Sequence, residues 1–150
     1  MPESFESRLL RWRFNIFPAY RGTGGRVTYV ADDYREIRVQ LALSIRTRNA
    51  VGTIFGGSMY ACIDPMYMIM LMKCLGRDYV VWDKAASIRF RKPGRSTLFA
   101  TFRLDDAELD AIRLATSTGE PVDRAYNVDL LDAGGVVHAS VEKIIYVKRK

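Results

Sequence analysis

The chain has 150 residues, of which 49% are hydrophobic and 27% charged. That composition suits one soluble domain with one core and is too short for two ordinary domains. The formal charge of +6 is spread along the sequence rather than massed in one arm. It fits an anionic partner, but no basic stripe or recognised motif points to nucleic acid.

The N-terminal segment has charges where a secretory signal would carry its apolar core, so the expected compartment is the cytoplasm. Residues 1–20 form a helical extension in this reading. Phe5, Leu9, Leu10, Trp12, Phe14, Ile16 and Phe17 lie on its apolar side, Arg8, Arg11 and Arg13 on its polar side, and Pro18 near its end. RGTGG at 21–25 reads as a turn and Arg26 to Val30 as a short strand. From Glu36 the sequence alternates strictly, with Ile37, Val39, Leu41 and Leu43 on one face, which predicts a half-buried antiparallel strand.

Ile54 to Met72 is different: nineteen residues with a single charge, Asp64. The length approaches the roughly 20 residues a membrane span needs. Gly56, Gly57, Pro65 and the mid-segment carboxylate argue against a span, since inserting that carboxylate would cost about 3 kcal/mol. A helix wrapped by a sheet accounts for the segment better. Val80 to Arg91 and Ser96 to Leu104 follow as strands around a Lys-Pro-Gly turn, then a helix over 105–118. Ala125 to Asp132 and Val136 to Val147 make a terminal hairpin through Ala-Gly-Gly. The predicted fold is α+β, a curved antiparallel sheet of about six strands wrapped around one hydrophobic helix.

Cys62 and Cys74 have no pattern of a disulfide framework or a zinc site and read as small buried residues. The sole histidine, His138, sits in the last predicted strand and reads as structural. No metal or cofactor is expected. The chemistry concentrates in Asn49-Ala-Val-Gly52-Thr53-Ile-Phe55-Gly56-Gly57-Ser58 and in Asp64. Two glycines opening a helix allow close approach to unpaired first-turn N–H groups, where a developing oxyanion would be stabilised. A carboxylate isolated among apolar residues must be paired or used as a base or nucleophile. Eight residues separate Gly56 from Asp64, about 12 Å along a helix. One substrate carbonyl cannot reach both groups on one helix, which predicts a dimer in which the glycines of one subunit face the aspartate of another.

The pattern N-x-x-G-T-x-x-G-G with an Asp seven residues after the second glycine resembles the signature of hotdog-fold acyl-CoA thioesterases, especially the phenylacetyl-CoA type. The hairpin IRFRKPGRSTLFATF resembles that family's strand–Pro-Gly–strand unit, and the resemblance covers the chain from about residue 26. It implies a single hotdog domain over 1–150, assembled as a homodimer or homotetramer and acting on an acyl-CoA or related thioester. It further implies an oxyanion N–H at Gly56, Asp64 as nucleophile or water-activating base, and Asn49 holding water or thioester. Thr53, Phe55, Arg91 and Lys92 are candidate substrate contacts, the last two, with Arg89 and Arg95, for coenzyme A phosphates. Two departures stand out: Phe55 replaces the family's histidine, and Pro65 follows the aspartate, as in a hotdog subgroup with an extra helix before the last hairpin. A hotdog dehydratase would need a catalytic histidine in its own motif, which His138 does not offer. The reading from another class is an acyl-ligand binding protein without turnover.

Overall fold

The computed structural model describes residues 2–150. Every segment of alternating hydrophobicity after residue 24 is a strand. In chain order these are β1 (Gly25–Val30), β2 (Glu36–Leu41), β3 (Tyr79–Phe90), β4 (Leu98–Arg103), β5 (Val122–Leu131) and β6 (Val137–Arg149). They form one sheet in the order β1-β2-β4-β5-β6-β3, with each neighbouring pair antiparallel. The inward positions of the strands, such as Ile37, Val39 and Leu41 on β2 and Ala139, Val141, Ile145 and Val147 on β6, are buried around the central helical segment. This is the hotdog arrangement that the resemblance implies.

The central segment is two helices rather than one. α3 (Gly56–Ala61) and α4 (Met66–Leu75) are separated by turns over residues 62–65. Pro65 lacks an N–H and crowds the turn before it, so the helical ladder is interrupted beside Asp64. Met59, Met66 and Met70 are fully enclosed and serve the core, whereas Met72 is exposed. Cys62 is buried and free, Cys74 partly so.

The N-terminal helix α1 (Phe5–Ile16) begins at Ser4, whose side chain accepts from the Ser7 N–H, and a separate short helix α2 (Pro18–Arg21) follows Pro18. Its apolar side is only partly used: Leu10 and Phe14 pack on the core, while Phe5, Trp12, Ile16 and Phe17 are exposed. α1 closes one edge of the sheet. The Asn15 amide donates to the Val27 carbonyl (2.9 Å) and accepts from the Val27 N–H (2.8 Å), and Glu3 accepts from the Val30 N–H (2.9 Å). These bonds cap the free side of β1 as a further strand would.

α5 (Asp106–Ala115), capped by Asp105, separates β4 from β5 in sequence. Those two strands meet at the Phe99–Leu131 pair, and the gap beyond it is filled by aromatic rings. Tyr126 stacks on Tyr67 at 4.5 Å, and Tyr67 stands edge-on to Phe102 at 5.2 Å. Glu108 of α5 accepts from Tyr126 (2.7 Å) and pairs with Arg124, fastening the helix to β5. No helix among the described residues is long and apolar enough to cross a membrane.

Candidate active site

Asp64 lies where the central helix is broken, and its carboxylate is paired. Oδ1 accepts from the Tyr60 hydroxyl at 2.7 Å and from Lys143 Nζ at 2.7 Å. Tyr60 is one helical turn before Asp64, so α3 itself presents the phenol. Lys143 comes from β6, where strand alternation turns it inward with Ala139, Val141, Ile145 and Val147. Its residue is only 1% exposed. Its Nζ also stands 3.2 Å from the Tyr60 oxygen and 2.9 Å from Asp83 Oδ1, the latter a charge contact off the hydrogen-bond direction. Asp83 faces inward because the β3–β6 register shifts at Asp83/Ala85, a bulge at Lys84.

The ammonium dominates the electrostatics. Burial pulls the Lys143 ammonium toward its neutral form, but the hydrogen bonds to Asp64 and Tyr60 and the contact with Asp83 outweigh it and hold the ammonium protonated well above the ordinary lysine range. Burial pushes the Asp64 carboxyl up, while the bonds from Lys143 and Tyr60 and the lysine charge bring it below the ordinary carboxylate range. Burial prevails at Asp83, whose carboxyl is raised despite Lys143. Burial, together with the hydrogen bond to Asp64, keeps the Tyr60 phenol protonated and donating. Asp64 is therefore an ionised carboxylate with one oxygen fixed by two donors. Its side chain is still 43% exposed.

That exposed side opens into an apolar cavity of about 410 Å³, lined by Phe14, Phe17, Tyr20, Tyr60, Pro65 and Ile69 around Asp64. α1 and α2 supply one wall, so the N-terminal extension helps to shape the space beside the carboxylate.

The glycine pair is at the start of α3. Phe55 precedes it with extended backbone and no side-chain cap, and its carbonyl accepts from the Ser58 and Met59 N–H groups. The Gly56 and Gly57 N–H groups have no acceptor among the described residues. A side chain at either position would have to displace an exposed phenyl ring. A Cβ on Gly56 would lie 2.9 Å from the Phe90 ring, and one on Gly57 would lie 2.4 Å from the Phe55 ring. The phenyl group that replaces the family's histidine thus rests on the backbone of the second glycine, where it offers contact but no polar atom.

Asn49 has local work. Its side-chain oxygen accepts from the Val51 and Thr53 N–H groups and its amide nitrogen donates to Thr53 Oγ1, closing the loop that leads into α3. Thr53 is buried in that loop. Arg91 donates to Ser140 on the outer face of the sheet, and Lys92 is exposed at the turn. His138 is structural, bridging Asp132 and the Pro93 carbonyl. The structure thus gathers Phe55, Gly56 and Gly57 at one end of α3. It places Asp64 at the other end, and Arg91 and Lys92 stand in the turn after Phe90, whose ring lies against Gly56. Sequence reading missed Lys143, Tyr60 and Asp83. The detectable signal was a lysine at a core parity of β6.

Among the described residues, no cluster of His, Cys, Asp and Glu is arranged to hold a metal ion. No curated protein is significantly similar in sequence. Several solved structures share the fold at low identity. A Pseudomonas aeruginosa protein of unknown function described as a probable thioesterase, PA5026, is 17% identical with a TM-score of 0.84, over 100% of this chain and 99% of its own. The Chlorobaculum tepidum protein OLEI01261, of unknown function, is 11% identical with a TM-score of 0.76, over 97% and 95%. Thioesterase HI1161 of Haemophilus influenzae is 14% identical with a TM-score of 0.71, over 98% and 93%. A family model spans residues 7–147, and the chain belongs to the family it defines, the domain of unknown function DUF4442.

Proposed function

We propose that the protein hydrolyses acyl-CoA or related acyl thioesters, with Asp64 as nucleophile or water-activating base. The observation that carries this reading is the Asp64 carboxylate, ionised and fixed through Oδ1, yet open to an apolar cavity of about 410 Å³. Fixing one oxygen orients the carboxylate and leaves Oδ2 to attack the thioester carbon or to take a proton from water. The acyl group would occupy the cavity. The Gly56 and Gly57 N–H groups would stabilise the tetrahedral oxyanion, each well-aimed donor by about 3 kcal/mol. The C–S bond then breaks, and coenzyme A leaves as thiol or thiolate. If Asp64 is the nucleophile, the reaction's single water enters afterwards and hydrolyses the mixed anhydride.

The glycine pair and Asp64 of one chain are too far apart along α3 to share a carbonyl, so the reading requires a homodimer in which each site combines both subunits. β3 is the free edge of the sheet, in contrast to β1, and it carries exposed Trp82 and Phe90, the latter against Gly56. Pairing of β3 with a second β3 would bring the two central helices alongside. Similarity in fold to thioesterase HI1161 supports this reading, and the resemblance of the glycine–aspartate motif does so independently. Arg89, Arg91, Lys92 and Arg95 remain candidates for drawing in the phosphates of coenzyme A.

The test is thiol release from short, medium, long-chain and aromatic acyl-CoAs by wild type and Asp64→Asn. Turnover that falls at least a hundredfold in the variant, with cooperative unfolding and oligomeric state retained though the melting temperature falls with loss of the Lys143 pair, is the expected result. Absent or equal turnover would favour a second reading, an acyl-ligand binding protein. Two observations speak for that alternative: Lys143 weakens Asp64 as a base, and Phe55 supplies no polar group beside the glycines.

A further inference from the structure

A second hollow, away from Asp64, lies between the polar side of α1 and the turn leading into β1. Its volume is about 650 Å³, and Arg8, Arg11, Arg21, Arg26 and Arg46 line it together with Trp12. Glu3 takes up only Arg11, through bonds of 2.8 and 2.9 Å. Among the described residues, the side chains of Arg8, Arg21, Arg26 and Arg46 make no ion pair or hydrogen bond. Arg8 feels only the charge of Glu3, which Arg11 already pairs, and Arg21, Arg26 and Arg46 have no paired carboxylate; guanidiniums that share one hollow in this way repel one another, and a polyvalent anion would relieve that repulsion. All five cations are arginines, the side chain whose planar fork matches phosphate oxygens in pairs. They come from three separate stretches of the chain: α1, the stretch from the end of α2 to the start of β1, and the loop after β2. Trp12, 57% exposed, adds an aromatic surface at the same hollow.

We propose that this groove binds the phosphate groups of a soluble nucleotide-like ligand, with Arg8, Arg21, Arg26 and Arg46 taking the phosphates and Trp12 flanking them. The ligand is either a free nucleotide or the phosphoadenosine end of a coenzyme A ester. The proposal goes beyond thioester hydrolysis and stands without it. A flat anionic membrane is the poorer fit, because the arginines line a concavity that a bilayer surface cannot enter.

The experiment reads Trp12 fluorescence in a Trp82→Phe background, so that binding is observed without turnover. The full-length protein is titrated with ADP, with coenzyme A and with vesicles of phosphatidylglycerol. The expected result is a saturable response to ADP, coenzyme A or both, weakened by salt, with at least tenfold poorer affinity in Arg26→Gln/Arg46→Gln. The side chains of these two arginines make no hydrogen bond or ion pair among the described residues, and the melting temperature of the double variant checks that it is folded. Equal responses to the two ligands would assign the site to nucleotides in general, and tighter binding of coenzyme A would assign it to the thioester carrier. No saturable response, undiminished affinity in the double variant, or a response to vesicles alone would overturn the proposal.

Discussion

At residue scale the site turns on Lys143. A lone ammonium at a core position is strongly unfavourable; here Asp64, Asp83 and Tyr60 surround it and make the charge tolerable. Removing it would leave two carboxylates facing one another without a cation. Lys143→Met is expected to lose about 2–3 kcal/mol at pH 7, the low end for breaking a buried pair, because Asp64 is partly screened by solvent. The pH dependence follows from the lowered Asp64 carboxyl. Its contribution to stability is complete above the unfolded carboxyl value, about 3.9, and is lost as pH falls through the lower folded value. Melting curves of both proteins at pH 7 and pH 3 should therefore show a smaller difference at pH 3; an equal loss at both would exclude the ion pair as its cause. If Asp64 acts as an ionised base or nucleophile, the acid limb of turnover should also move to higher pH in Lys143→Met, since only the Tyr60 hydrogen bond then opposes burial.

Each edge strand has a different fate, and the difference lies in the elements beside it. β1 is covered by α1 through Asn15 and Glu3, which bond to backbone groups that would otherwise await another strand. Val27 is fully buried, so both of its backbone groups would be left without partners in Asn15→Ala. A loss of about 2 kcal/mol is expected, read as a lower urea midpoint with unchanged slope; an unaltered midpoint would mean that α1 is not needed to close this edge. α1 also contributes Phe14 to the Asp64 cavity, beside Phe17 at its C-terminal cap, and Arg8 and Trp12 to the arginine groove. One twelve-residue helix thus borders two hollows of opposite character.

For the whole molecule the decisive question is whether β3 meets a second copy. In Ala85→Lys/Ser87→Lys, positive charges lie along the middle of that strand, where like charges brought face to face across an axis of symmetry are repulsive. Sedimentation should show a dimer in the wild type and a monomer in the variant, with thiol release lost along with the dimer. A monomer that retained full turnover would refute the shared site.

The strands were legible because half-buried strands must alternate, and the predicted ranges agree with β1 to β6 to within a few residues at each end. The glycine pair and Asp64 were legible too, since glycines at a helix start and a charge within an apolar run are local anomalies. Pro65 beside the carboxylate was visible as well, but not that the helix would be divided there into α3 and α4. Local sequence could not reveal Asp64's partner: Lys143 is 79 residues away and reaches it only because β6 crosses beneath the helix. Nor could it show that Asn49 closes its own loop, or that arginines from three segments share one hollow. Periodicity and isolated anomalies are carried by neighbouring residues and survive in one dimension. Charge pairing and cavity shape depend on distances between remote segments, which only the folded sheet sets.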